Sequence, residues 1–153
     1  MTTYPRLTGA LALAASLSIA ACAGSVAAPS ATTADAPATA AAAVTGAWRL
    51  QSLTRPDSTT VTVDRPELFT IEFLDAAPTR LAARVDCNRA VGPYTTGNGT
   101  LTIGAVAMTR AYCGATAAFG DEYMRLLDGD HAVTVTSGTL VLSSPRGTLR
   151  FSN

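Results

Sequence analysis

The sequence has no lysine, one tryptophan, one histidine and three cysteines among its 153 residues. Charged residues make up 14%, against about a quarter in ordinary soluble domains. All eleven basic residues are arginine, and eleven acidic residues balance them. With no basic surplus and no basic run, the sequence offers no footprint for nucleic acid and no polybasic patch for anionic lipid. One histidine leaves a zinc site short of ligands. No Gly-x-Ser-x-Gly elbow, phosphate loop or dinucleotide fingerprint is present. There is no Cys-x-x-Cys either, which removes the usual redox motif. Nothing here points to an enzyme, a metal or a cofactor. No apolar run reaches the roughly 20 residues that span a bilayer.

What is there begins with a short apolar run at residues 7–21, preceded by Arg6. Its length suits the core of a signal peptide. It ends Leu17-Ser18-Ile19-Ala20-Ala21-Cys22, which resembles a bacterial lipobox. On that reading residues 1–21 are removed and Cys22 is acylated; the alternative is ordinary secretion, with Cys22 a bystander. Acylation also disposes of an exposed thiol at the export junction, and two or three acyl chains hold a protein on a membrane stably. Ala23 follows the cysteine rather than Asp, which by resemblance to Gram-negative sorting rules implies the outer membrane, periplasmic face. Residues 23–43 are almost entirely Ala, Thr, Ser and Pro. Such a segment buries too little surface to order itself. We expect residues 22–43 to be a lipidated tether with a reach of about 25 Å.

The remaining stretch, 44–153, is long enough for one core. An odd cysteine count in an exported protein asks for an explanation. Acylation of Cys22 supplies one, leaving Cys87 and Cys113 as a single disulfide. Closing a loop of that length contributes about 3.5 kcal/mol on the chain-entropy model.

Around the cysteines the chain alternates. Trp48 and Leu50 share one face, then Phe69, Ile71 and Phe73. Leu81 opens a third strand that leads to Cys87. Gly97-Asn98-Gly99 supplies a hairpin turn. The C-terminal stretch is a three-strand meander with turns at Ser137-Gly138 and Pro145-Arg146-Gly147. One helix is expected over 116–128, with Phe119, Tyr123, Leu126 and Leu127 on one face. Asp121 and Glu122 sit early in it, where the helix dipole suits them, and Asp121 can reach Arg125. Gly129 is the stop. The expected fold class is mostly β (α+β): a single small domain of seven or eight strands, an antiparallel rolled or barrel-like sheet with one helix packed on it.

Several segments of 44–153 form an ordered set: Gly46-Ala47-Trp48-Arg49-Leu50, then Cys87-Asn88 with Gly92 and Tyr94, then Met108-Thr109-Arg110-Ala111-Tyr112-Cys113, and finally Gly138 through Phe151. That set resembles the META-domain family, the HslJ-like heat-shock and envelope proteins. Asp86 stands where the family usually has Gly. The resemblance implies a compact β-rich domain, an envelope location and a loose association with stress tolerance, motility or secretion, and it transfers no catalytic residues.

Asn88, Arg89, Tyr94, Thr109 and Arg110 cluster in sequence around the two cysteines and form the candidate contact patch. His131 lies past the helix stop and is expected on the surface. Asp128-Gly129-Asp130 lacks the further ligands of a calcium loop and reads as a turn. Two functions follow. One is a non-catalytic, monomeric envelope lipoprotein acting by contact with another envelope component. The other is a periplasmic carrier of a small apolar ligand, which needs a pocket of at least about 300 Å³.

Overall fold

The computed structural model describes residues 44–153. Cys22, the segment 1–21 and the tether 22–43 lie outside the described residues. The strands are β1 (Gly46–Thr54), β2 (Thr60–Thr62), β3 (Phe69–Leu74), β4 (Arg80–Val85), β5 (Asn88–Gly97), β6 (Thr100–Ile103), β7 (Ala107–Met108), β8 (Gly129–Thr136), β9 (Thr139–Ser144) and β10 (Gly147–Ser152). A helix, α1 (Ala117–Leu127), precedes β8. The pairing order is β1-β3-β4-β5-β6-β8-β9-β10, and β10 pairs back to β1. Eight antiparallel strands therefore close a barrel, while β2 and β7 add short pairings to β1 and β5. Closure leaves the ring itself without an exposed edge.

Alternation does most of this work. Phe69, Ile71 and Phe73 point inward with Leu81, Ala83 and Val85 of the paired strand, and all six are buried. Strict alternation in β1 would send Leu53 outward. The register with β10 shifts between Leu50 and Ser52, a bulge that turns Leu53 in beside Leu50. Both are fully buried. Asn98-Gly99 and Ser137-Gly138 each have two consecutive positive φ angles, the geometry that matches strand twist in a two-residue hairpin.

α1 lids one end of the barrel. Gly120 packs so closely on β4 that an added Cβ would lie 3.1 Å from Val85. Tyr123 meets Phe69 and Phe151 at ring-centroid distances of 6.1 and 6.3 Å, and Phe119 meets Phe69 edge-on at 4.9 Å. Tyr123, Leu126 and Leu127 are buried, each burial contributing roughly 2 kcal/mol.

Three details differ from the sequence expectation. First, α1 starts at Ala117 after a 3-10 turn at Gly114–Thr116, so Asp121 and Glu122 fall in its second turn, beyond the N-terminal dipole. Second, it is Glu122 that meets Arg125, at 3.7 Å. Third, His131 is buried, with 2% of its surface exposed. The reason is parity: Gly129, at φ 88°, begins β8 directly after the helix, so the second residue on points into the barrel.

Candidate contact site at the disulfide

β4 and β5 are joined by the two-residue turn Asp86-Cys87. Asp86 has φ 57°, a left-handed conformation that glycine adopts freely and aspartate tolerates. Its carboxylate also accepts from the Thr116 hydroxyl, tying the turn to the start of α1. Cys87 forms a disulfide with Cys113, with Cα atoms 5.7 Å apart.

The segment from β7 to Cys113 runs beside β5 toward the helix end. What holds it there is Asn88, 7% exposed and aimed inward. Its amide nitrogen donates to the Ala111 carbonyl at 3.0 Å and to Cys113 Sγ at 3.1 Å. Its oxygen accepts from Thr109 Oγ1 at 2.9 Å and from the Ala111 N–H at 2.8 Å. All donors and lone pairs of this carboxamide are used. Thr109 is held twice more, accepting from the Arg89 N–H and donating its own N–H to the Arg89 carbonyl, both at 3.0 Å.

The five residues of the sequence patch therefore divide. Asn88 and Thr109 form the internal clamp. Arg110 lines an open cleft of about 230 Å³ with Asn88, Tyr112, Cys113, Thr116 and Asp121. Arg89 points outward on the barrel wall. Tyr94 is not part of the patch: it lies inside, 5.1 Å edge-on from Phe73, and donates to the Leu74 carbonyl at 3.1 Å. The parity of β5 decides this, because residues 88, 90, 92 and 94 all face in. Burial, and secondarily Asp75, pushes the Tyr94 hydroxyl above its ordinary pKa.

Sequence reading passed over Tyr112, which is 87% exposed. It sits on the clamped segment one residue before Cys113, and the adjacency of Arg110, Tyr112 and Cys113 was its only signal. A second groove, of about 270 Å³, lies on the other side of Thr116 and is lined by Val61, Val63, Arg65 and Phe119.

The lid is also held by charge. Arg55, in the loop after β1, donates to both carboxylate oxygens of Glu122 at 2.6 and 2.7 Å. That bidentate bond holds the Glu122 carboxyl below its usual range despite the opposing effect of burial. Behind the lid, His131 Nε2 donates to the Leu127 carbonyl at 2.9 Å, which fixes the tautomer and leaves buried Nδ1 bare. Burial lowers its pKa below the ordinary 6.5, with the Leu127 bond opposing. Asp130 accepts from Thr102 at 2.7 Å, and Asp128 faces Arg146 at 4.0 Å.

These elements define the class: a small antiparallel β-barrel, closed on itself, lidded at one end by a helix and stapled by a disulfide beside the lid. A META domain matches residues 41–153. The chain belongs to the META-domain family. Among solved structures, a protein from Burkholderia xenovorans is similar at 21% identity and TM-score 0.63, covering 76% of this chain and 86% of its own. A DUF4847-family protein from Bacteroides vulgatus gives 12% identity and TM-score 0.53, covering 72% and 93%. A lipocalin-like protein from Bacteroides uniformis gives 16% identity and TM-score 0.51, covering 72% and 97%. At these identities the likeness is one of fold. Comparison with functionally curated proteins finds no match.

Proposed function

We propose that this protein is a non-catalytic envelope lipoprotein whose META domain works by touching another envelope component, and that this contact contributes to stress tolerance. In this reading Cys22 carries the lipid, residues 22–43 are the tether, and a monomeric barrel stands at the periplasmic face of the outer membrane. The observation that carries the proposal is Tyr112. A large aromatic side chain lies almost wholly in solvent on a segment clamped by a disulfide and by the four hydrogen bonds of the Asn88 carboxamide. Tyrosine and arginine on a pre-ordered surface are the residue types that anchor protein contacts; Tyr112 and Arg110 fit that role.

The carrier reading draws on the lipocalin-like neighbour. Against it, the inside of the barrel is occupied by side chains, among them Trp48, Leu50, Ile71, Phe73, Leu101 and Phe151. The two grooves beside the lid are each smaller than a carrier pocket of about 300 Å³.

The test is photocrosslinking in intact cells from a reactive residue at position 112. A discrete adduct, weakened by Arg110→Ser, is the expected result. An absent adduct, with a small molecule retained in native mass spectra of the purified protein, would replace contact with carriage. Separately, Cys22→Ser should leave the precursor uncleaved or release the protein from membranes, and unchanged fractionation would remove the anchor.

A further inference from the structure

The sequence contains no polybasic run, yet the barrel assembles a basic wall. Adjacent strands place Arg49 of β1 opposite Thr70 of β3, Thr70 opposite Arg84 of β4, and Arg84 opposite Arg89 of β5. All three arginines are on the outer face and exposed. The next row toward the start of β1 reads Ala47, Glu72, Ala82 and Val91, and the one after it Leu74, Arg80 and Pro93. Four arginines from three strands thus share one wall with a single strand carboxylate, Glu72.

Two features of this wall lack a structural explanation. Arg84 and Arg89 stand directly opposite each other on neighbouring strands, about 5 Å apart, an arrangement of like charges that destabilises a sheet. Among the described residues no ion pair joins Arg49, Arg80, Arg84 or Arg89 to a carboxylate; the ion pairs gather around the lid. Arg84 Nε donates to the Asp86 carbonyl at 3.0 Å, which orients the guanidinium without neutralising it. The second feature is apolar. Of the three large apolar side chains exposed among the described residues, Val91 at 51% and Leu74 at 38% lie on this wall.

We infer that the outer face of β1, β3, β4 and β5 docks on the anionic phospholipid surface of a membrane. The chemistry selects that occupant. The surface is the convex wall of a barrel, so it offers no pocket for one free anion. Its guanidinium groups come from three strands and span the width of four, roughly 15 Å, which suits several lipid phosphates side by side. Arginine binds phosphate bidentately, and basic residues with a few apolar ones between them are the mark of interfacial binding. The described chain enters β1 beside this wall, and Arg49 is the fourth residue of that strand. The inference goes beyond the anchored reading and uses it only for proximity to the membrane, which raises the effective concentration of lipid at the wall.

Arginine footprinting with phenylglyoxal tests it on the full-length protein. The protein is mixed with phosphatidylcholine vesicles or with vesicles of equal parts phosphatidylcholine and phosphatidylglycerol. Modification at Arg84 and Arg89 should slow by roughly threefold or more on the anionic vesicles alone. Arg125 and Arg146, at the lid, should react equally on both. Salt at about 0.5 M should abolish the protection, and the double variant Arg84→Glu, Arg89→Glu should abolish the protection of the remaining wall arginines, Arg49 and Arg80. Equal reactivity on the two vesicles would overturn the proposal. Equal protection by inorganic phosphate without vesicles would also overturn it, in favour of a small-anion site. Intact mass reports the acyl group on Cys22 independently. An unacylated chain still protected on anionic vesicles would uphold the wall and sink the anchor.

Discussion

At the barrel end where β1 starts, Phe73 and Tyr94 pack edge-on and Trp48 is buried in the same core. The side-chain bonds there are few: Trp48 Nε1 to the nearby Val44 carbonyl, the Tyr94 hydroxyl to the Leu74 carbonyl and the Thr79 hydroxyl to the Tyr94 carbonyl. The lid end is different. It gathers the disulfide, the Asn88 carboxamide, the Arg55–Glu122 pair, Asp86 with Thr116, and His131. The first end follows from alternation of apolar residues and would tolerate many sequences. The second end depends on particular polar side chains meeting across long stretches of chain. Damage should accordingly be mild and general at the first, but large and local at the second.

The largest effect should come from the disulfide. Cys87→Ser with Cys113→Ser is expected to cost about 3.5 kcal/mol on the chain-entropy model, read as a lowered midpoint in urea. An unchanged midpoint would show that the lid end does not need the staple. Next is Asn88→Ala, which leaves the Ala111 carbonyl and N–H and the Thr109 hydroxyl without their partner. Each unsatisfied group costs about 1–3 kcal/mol, part of it recovered where water can enter. A loss of about 2–3 kcal/mol by urea titration is expected. Phe73→Leu at the opposite end should cost less, about 1 kcal/mol, because neighbouring apolar side chains can shift. If Phe73→Leu proves the costlier, the contrast between the two ends fails.

Much of the ring was legible because a period of two leaves its mark in sequence: Phe69-Thr70-Ile71-Glu72-Phe73 announces its inward and outward faces. The hairpin turns were legible for the same local reason, since Asn98-Gly99 and Ser137-Gly138 supply positive φ. The lid end was legible only where a rare residue flagged it, as the cysteines did. Arg55 and Glu122 lie far apart in the chain, and neither stands out from other charged residues. His131 was misread because its side depends on where β8 begins, and a shift of one residue reverses it. Tyr94 was misread as a patch residue because nearness in sequence is not nearness in space along a strand. The arginine wall was invisible because register, not composition, brings Arg49, Arg84 and Arg89 into line.

Smaller effects separate the lid's charges by pH. The Glu122 carboxyl is lowered in the fold, so its contribution is complete above its unfolded pKa of about 4.3 and is lost as pH falls through the folded value. His131 is also lowered, from an ordinary 6.5; being buried neutral, it contributes above that value and its contribution fades as pH drops below it. Melting temperature should therefore fall in two stages on acidification. Glu122→Gln should remove the lower stage and cost a few degrees at neutral pH. His131→Gln should flatten the upper stage, and a melting curve unaltered there would contradict the buried, neutral histidine. Tyr123→Phe should change least. The Tyr123 hydroxyl is buried without a partner, so its removal is expected to leave stability equal or slightly raised.

Hydrogen exchange on the oxidised and reduced protein tests the clamp most directly. The Thr109 and Ala111 amides donate to the Arg89 carbonyl and to Asn88 Oδ1. If the disulfide and Asn88 together hold the Tyr112 segment, reduction speeds exchange at Thr109 and Ala111 by local opening, so that they exchange faster than the Leu140 and Leu142 amides of β9, which follow only the global loss of stability. Equal rates at Thr109 and Ala111 before and after reduction, or rates at Thr109 and Ala111 no faster than those in β9 after reduction, would contradict it.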